Sequence, residues 1–475
     1  MLTWLVPSKI FICQLNEDTK IRVRTSVGDT DWHNIEDGIG QGAPAAALVS
    51  SCSIGNAIHE TFKDKPSTKI GNMNMSAMVF QDDIAKMNDE LKHAREGCEE
   101  INETLLKKLL SVNYDKSKFV IIGNKAYKDK IMKELEKNPM MMGKVKIDRS
   151  VMEKYLGDLI HEKGCEASIL ETIKERLKKL RPKMNEIIQT SENPMMQGLS
   201  NAEVPFKLFE STVITPLLNN CESWIGIKDQ QLNLLQKFQE EFIEKVLRIS
   251  NKTTKAIINW DVGLPPMKWR IGERKLQFLR KTMAKDYKNI TKRALFQEVI
   301  TDTEGLVHEC RLLGNEIGIP DLMFNNSTKS QIKSKVKEHV KREYRNAMEN
   351  QKKVQDRLTD NPEDNSYLKI LPLPLARVWF RYRARATANV KGNFRHSHTD
   401  MSCDLCTSNE EMNQEHLETC EGTGYERRGL NMRNWKGILD FWRRMTIKLQ
   451  NSNKPKPKLA AVTDEVRQQR DLHDT

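Results

Sequence analysis

Two stretches of this sequence combine residue types that do chemistry. In the first, Met78-Val79-Phe80 leads through Gln81 to Asp82-Asp83, adjacent carboxylates at the end of a short apolar run with no cation beside them. Neighbouring carboxylates repel, so a site that holds both away from water needs a proton or a bound cation. Hard, oxygen-seeking Mg²⁺ is what strand-tip carboxylates hold in phosphoryl and nucleotidyl transfer. For an isolated pair, a solvated turn is the plain alternative. The second stretch is Cys403-x2-Cys406-x9-His416-x3-Cys420. Its four soft or borderline ligands, with a tight Cys-x-x-Cys turn and a His-x3-Cys half that fits one helical turn, suit tetrahedral zinc.

The elements around Asp82 and Asp83 follow from local pattern. Gly38-Ile39-Gly40-Gln41-Gly42-Ala43-Pro44 is a flexible entry to a helix over about 43–60, with Pro44 where a first helical turn tolerates proline. Residues 76–80 read as a strand, Gln81 and Asp82 as a hairpin tip, and Ile84 onward as the return. A helix over about 86–110 is marked by Met87, Leu91, Ala94, Cys98, Ile101, Leu105 and Leu109. Residues 119–122 read as a strand preceded by Lys116 and Lys118, and 144–148 with 154–160 as a hairpin containing Lys154-Tyr155-Leu156-Gly157. Upstream, Ile21-Arg22-Val23-Arg24-Thr25 alternates like a half-buried strand.

In this order the Gln-Gly motif, the aromatic-x-Asp-Asp hairpin, the lysine-containing strand and the Lys-Tyr-Leu-Gly hairpin resemble the palm of a LINE-type reverse transcriptase, encoded by retrotransposons without long terminal repeats. The resemblance implies an RNA-directed DNA polymerase in which Asp82 and Asp83 hold Mg²⁺. It also implies that Gln41 and Gly42 lie near the incoming nucleotide and template, that Lys118 assists the pyrophosphate leaving group, and that Lys154, Tyr155, Leu156 and Gly157 grip the primer. The implied partners are an RNA template and a DNA primer or target DNA. Two departures stand out. The family's third carboxylate should end an apolar strand upstream, yet Glu17, Asp18, Asp29, Asp31, Glu36 and Asp37 are not so placed; and Gln81 stands where the family has a small residue. The expectation is therefore a truncated palm at 1–162, without fingers and with an incomplete two-metal site, and a poor or inactive polymerase. The competing expectation is a non-catalytic nucleic-acid-binding relic.

The remainder reads as helical, giving an α+β protein: partial palm, α-helical thumb at 163–326, basic connector and arginine-aromatic segment at 327–400, zinc knuckle at 401–425, terminal helix at 426–450 and a disordered tail at 451–475. Ile169, Ile173, Leu177 and Leu180 mark one helix face, opposite Lys174, Arg176, Lys178, Lys179 and Arg181, with Pro182 interrupting the helix. Such a basic face can track a duplex backbone or be simply solvated. Leu235, Phe238, Phe242, Val246 and Ile249 form a bundle stripe, and residues 257–279 also resemble the region after the palm in LINE-type proteins. Residues 327–360 read as a highly charged helix with little apolar stripe, a connector or a nucleic-acid-facing arm.

Residues 365–399 contain no acid, while Arg377, Arg381, Arg383, Arg385, Lys391 and Arg395 alternate with Trp379, Phe380, Tyr382 and Phe394. Arginine beside exposed aromatics suits single-stranded nucleic acid; the alternative is that the aromatics are core and only the arginines face out. Several clades of the LINE-type family carry a similar Cys-Cys-His-Cys knuckle after the thumb, preceded by a segment like Asn393-Phe394.

Length and charge fit this organisation without selecting it. A chain of 475 residues has room for two or three domains, and a net charge of +12 with a pI near 9.1 calls for a polyanionic partner, as a polymerase, an RNA-binding module or a basic scaffold would. The apolar start stops at Pro7, too short for a signal peptide, and no run suits a membrane span, so an intracellular, nuclear and cytoplasmic, non-secreted protein is expected. Cys13, Cys52, Cys98, Cys165, Cys221 and Cys310 are scattered singly and read as reduced core residues.

Overall fold

Period-2 and period-3.6 patterns segregate along this chain, with short strands gathered before residue 162 and helices dominating after it. A computed structural model describes residues 20–22, 24–34, 44–63, 65, 67–75, 77–193, 201–301, 303–320, 327–357, 367–393 and 399–452. Gln41, Gly42, Cys13, Arg395, Phe394 and residues 453–475 of the tail lie outside the described residues. The chain is α+β and mostly helical, with two-stranded sheets. Among the described residues, no helix is long and apolar enough to cross a membrane. Two units divide the chain, Met1–Leu156 with Ile160–Gly164, and Gly157–Leu159 with Cys165–Thr475.

In the first unit, the helix Pro44–Phe62 and the helix Leu91–Leu106 share a core of Ile58, Phe62, Ile101 and Leu105. Ala77, Val79 and Ile84 of an antiparallel hairpin, Ala77–Phe80 with Asp83–Lys86, pack on that core. The second helix stops short of Leu109, which has φ +57° and is 97% exposed, so the apolar stripe loses its last member. A helix Lys125–Lys137, capped where the Asn124 side chain accepts the Tyr127 N–H at 2.8 Å, builds a second core from Ile131, Leu135, Ile121, Met140, Met142 and Ile147.

The strand reading of 119–160 needs correction. Lys118–Phe119 runs parallel to Asp148–Arg149, and Val145–Lys146 pairs with Met141–Met142. The hairpin joins Met152–Tyr155 to Asp158–His161 through Leu156 (φ +50°) and Gly157 (φ +88°). Two consecutive positive φ angles give the tight primed turn whose twist matches the strands, so residues 152–161 close on themselves without 144–148.

The second unit opens with the helix Cys165–Glu192, which runs through Pro182 without ending. Pro182 is exposed, whereas Ile173, Met184 and Ile187 on either side are buried, and their packing outweighs one missing backbone hydrogen bond. The bundle core continues through Phe206, Phe209, Phe238, Phe242, Trp224 and Trp269, with Phe209 and Phe242 stacked at 3.9 Å. The helix Lys329–Glu349 belongs to this core. Ile332, Val336, Val340, Tyr344 and Met348 recur every fourth residue and are all buried, a stripe narrow enough to be hidden among charges. Cys221 and Cys310 are core residues whose thiols burial pushes up to about 12, and Cys98 is half-buried with its thiol pushed up to about 11. Cys52 and Cys165 are exposed, contrary to the core reading.

Candidate metal centre and the Asp-Asp hairpin

The chain folds a tight turn from Cys403 to Cys406, returns as an extended segment and enters the short helix Gln414–Thr419. Cys403 N–H donates to Glu410 O at 2.9 Å and Met412 N–H to Met401 O at 2.8 Å, closing the loop that separates the two ligand pairs. The Asn413 side chain caps the helix by accepting the His416 N–H at 2.8 Å, so His416 falls in the first turn and Cys420 directly after the last. The Leu405 N–H points at Cys403 Sγ at 3.4 Å, a charge-assisted contact once that sulfur is a thiolate.

The four donors converge: the ligand atoms of Cys403, Cys406, His416 and Cys420 all lie within 4.8 Å of one another. Cys403 and Cys420 sulfurs are 3.9 Å apart, and Cys406 Sγ is 3.3 Å from His416 Nε2. Two sulfurs bound at about 2.3 Å to one tetrahedral centre stand roughly 3.8 Å apart, so the sulfur spacing is that of ligands to one ion and is far beyond a disulfide of about 2.05 Å. The set could hold a metal ion such as zinc. His416 Nδ1 faces the Glu410 carboxylate, an arrangement that fixes the proton on Nδ1 and turns Nε2 to the sulfurs. Burial pushes the Cys403 thiol up to about 11, whereas hydrogen bonds from Ser408 hold Cys406 down at about 6.

This segment is not self-contained. Cys403, Met412, Leu417 and Cys420 share one buried cluster with Tyr382 and Val390 on one side and Phe441, Trp442, Met445 and Leu449 of the helix Trp435–Ser452 on the other. Trp442 Nε1 donates to Glu418 at 3.0 Å. At Gly422 an added Cβ would lie 1.8 Å from Leu405 O, so only glycine lets the chain pass so close to the Cys-x-x-Cys turn. The boundaries read at 401, 425 and 426 run through a single core.

No known protein family's sequence profile matches the chain, and no curated protein is significantly similar to it. Function must come from the geometry.

At the Asp-Asp hairpin, Phe80 pairs with Asp83 across a two-residue turn of Gln81 (φ +58°) and Asp82. Gln81 thus occupies a turn position, and the return strand begins at Asp83. Both carboxylates are exposed, and among the described residues neither belongs to a group of three or more potential metal ligands. Asp29 is held by Arg22 and Arg24 at 3.1 Å each. Tyr155 of the Lys-Tyr-Leu-Gly hairpin has its phenol pushed up, first by burial and then by the charge of Asp83. Lys118 is engaged by Asp148 at 3.2 Å, while Lys154 and Leu156 are exposed.

The arginine segment departs furthest from an exposed basic surface. Its core is the helix Leu373–Arg383, whose arginines turn inward with the aromatics. Arg383 is buried against Asp261, with Nε and Nη2 donating to Oδ2 and Oδ1 at 2.9 and 3.0 Å. Arg377 donates to Val246 O at 2.7 Å and Arg381 to Arg248 O at 2.8 Å, satisfying carbonyls at the end of the helix Asp229–Leu247. Arg385 pairs with Asp356 and Glu415, and Lys391 with Asp404 at 2.7 Å. Phe380 and Tyr382 are core and Trp379 packs partly buried beside them, so these aromatics of the segment turn inward with the arginines. On the basic face at 174–181, Lys174 pairs with Glu171, Arg181 with Glu241, and Arg176 is buried on Gly157 O and Asp158, while Lys178 and Lys179 are exposed.

Sequence spacing identified the four sulfur and nitrogen donors but not Glu410 or Trp442. Glu410 lies in the loop between the ligand pairs, where many acids are merely solvated, and Trp442 comes from a helix more than twenty residues on.

Proposed function

We propose that this chain acts on nucleic acid as part of a LINE-type reverse transcriptase, with its first unit as palm, the helices that follow as thumb, and a zinc-stapled segment packed on the last helices. The observation that carries the reading is the hairpin Ala77–Phe80 with Asp83–Lys86, which presents Asp82 and Asp83 at an exposed tip while its apolar side packs on the helix after the Gln-Gly motif. The influence of Asp83 on Tyr155 supports it, since both residues sit in motifs of the resemblance and lie within electrostatic reach of each other.

Two exposed carboxylates fit a Mg²⁺ ion that draws its remaining ligands from phosphates and water. Bound there, Mg²⁺ would neutralise charge on a phosphate. A pair of ions would need a third protein carboxylate as well; among the described residues none joins Asp82 and Asp83, and Glu17, Asp18, Glu36 and Asp37 lie outside those residues. The second reading is a nucleic-acid-binding protein without polymerase activity, in which Asp82 and Asp83 are a solvated hairpin tip.

Primer extension on an RNA template with Mg²⁺ or Mn²⁺, run beside an Asp82→Ala, Asp83→Ala variant, tests the two readings. The expected result is binding of the primer-template with little or no extension. Robust extension that disappears in the variant would establish the polymerase and refute the second reading. A protein that does not bind primer-template at all would sink both.

A further inference from the structure

We propose that the helix Lys329–Glu349 carries the principal surface for the phosphate backbone of a nucleic-acid duplex, through Lys329, Lys333, Lys337 and Lys341. The inference rests on the nucleic-acid reading above and assigns to this helix, rather than to the arginine-rich segment, the main contact with the backbone.

The four lysines stand at successive four-residue intervals, all exposed. With a rise of about 1.5 Å per residue, they place a positive charge about every 6 Å along a ridge of about 18 Å. Like charges at this spacing destabilise a helix by a few tenths of a kcal/mol per pair. Among the described residues none of the four has an ion-pair partner, whereas Lys335 is paired with Glu338 at 3.2 Å and Arg345 with Glu349 at 3.3 Å. This contrasts with the basic side chains at 174–181 and 377–391, most of which are consumed by internal acids and carbonyls.

The ridge has a rigid base. The stripe Ile332, Val336, Val340, Tyr344 and Met348 is buried in the bundle, Tyr344 Oη donates to Leu264 O at 2.6 Å, and Glu343 accepts from Trp269 Nε1 at 2.9 Å. Because the apolar face is already used, the helix has nothing to insert into a lipid surface, which favours a nucleic acid over a membrane. The aromatic rings of this helix are turned inward: Tyr344 is buried and His339 packs against the Trp269 ring at 4.4 Å. Single-strand binders pair charge with aromatic platforms for bases, so an aromatic-free lysine ridge favours a duplex backbone read without regard to sequence.

The test is fluorescence anisotropy of the full chain with a labelled 20-base-pair duplex, either DNA or an RNA–DNA hybrid, across a salt series. For Lys329→Gln, Lys333→Gln, Lys337→Gln, Lys341→Gln the slope of log affinity against log salt should become shallower by about 3 to 4, at about 0.9 for each phosphate no longer neutralised, with affinity falling on the order of tenfold or more. The four-fold Lys→Arg variant should keep the slope, and Lys174→Gln, Lys183→Gln, which removes lysines paired with Glu171 and Glu186, should also leave it intact. An unchanged slope in the Gln variant, with the wild type binding, would overturn this inference and leave the nucleic-acid reading standing. A wild type that binds phosphatidylserine vesicles but not the duplex, or neither, would overturn both.

Discussion

Arg383 and Asp261 form a bidentate ion pair whose side chains are 7% and 0% exposed, and the Tyr367 hydroxyl donates to the same Asp261 oxygen at 3.0 Å. The pair ties the helix Lys255–Val262 to the helix Leu373–Arg383. Complete burial pushes the Tyr367 phenol well above its usual range, and the charge of Asp261 adds to the shift while that of Arg383 opposes it. Breaking a buried pair by removing one partner strands the other charge and costs about 3–5 kcal/mol. Arg383→Ala should lower unfolding free energy by that order in urea titration, while the salt slope of nucleic-acid binding by the folded fraction stays as in the wild type. Arg385→Ala, which removes a partly exposed guanidinium from Asp356 and Glu415, should cost less than about 1 kcal/mol. A steep change in binding slope with little loss of stability for Arg383→Ala would mean that this arginine reaches ligand.

A second junction of the same helix makes stability depend on pH. Burial opposes ionisation of Glu192, but hydrogen bonds and charges from Arg377 and Arg248 outweigh it and hold the carboxyl below its ordinary value of 4.5. A depressed carboxylate contributes stability that is fully present above the unfolded value and is lost as pH falls through the folded one. The wild type should therefore melt at a higher temperature than Glu192→Gln at pH 6, and the gap should close as pH falls below about 4.5. A gap that is the same at pH 6 and pH 3 would show that Glu192 does not depend on its charge.

What the sequence disclosed and what it hid differ by the distance between partners. Cys403, Cys406, His416 and Cys420 were legible because their ligands are close in the chain and local turns set their geometry. Asp82 and Asp83 were legible as a hairpin tip for the same reason. The internal partners of the arginines were not legible, because Arg383 finds its acid 122 residues away and Arg377 finds Glu192 at a separation of 185, and no local pattern records such a partner. An acid-free segment looks like a ligand surface only while the acids that fold against it are unknown. In the helix Lys329–Glu349 the sequence showed little apolar stripe, yet a stripe one residue wide carries it into the core, so the segment read as a connector or a nucleic-acid-facing arm is fixed to the bundle.

The segment of Cys403, Cys406, His416 and Cys420 yields the sharpest prediction, because its ligand set is local while its packing reaches the last helix. Metal analysis of the purified full chain should find one zinc per molecule, and Cys403→Ser with Cys420→Ser should abolish it. A free-standing knuckle would unfold entirely on chelation. Here Leu417, Met412 and the two cysteines share a core with Trp442, Phe441 and Tyr382, so chelation should loosen the loop around residues 403–423 while the bundle built on Phe209, Phe242 and Trp269 stays protected. Hydrogen exchange before and after chelation distinguishes these outcomes, since a local loss of protection is expected and a global one would mean that the metal organises the whole second unit. Glu410→Gln leaves all four donors in place but weakens the partner of His416 Nδ1. Outer partners of ligating histidines are worth about tenfold to a hundredfold in metal affinity, so competition with a chromophoric chelator should register that loss for Glu410→Gln and none for the exposed Glu421→Gln. Equal affinity in the two variants would remove Glu410 from the site.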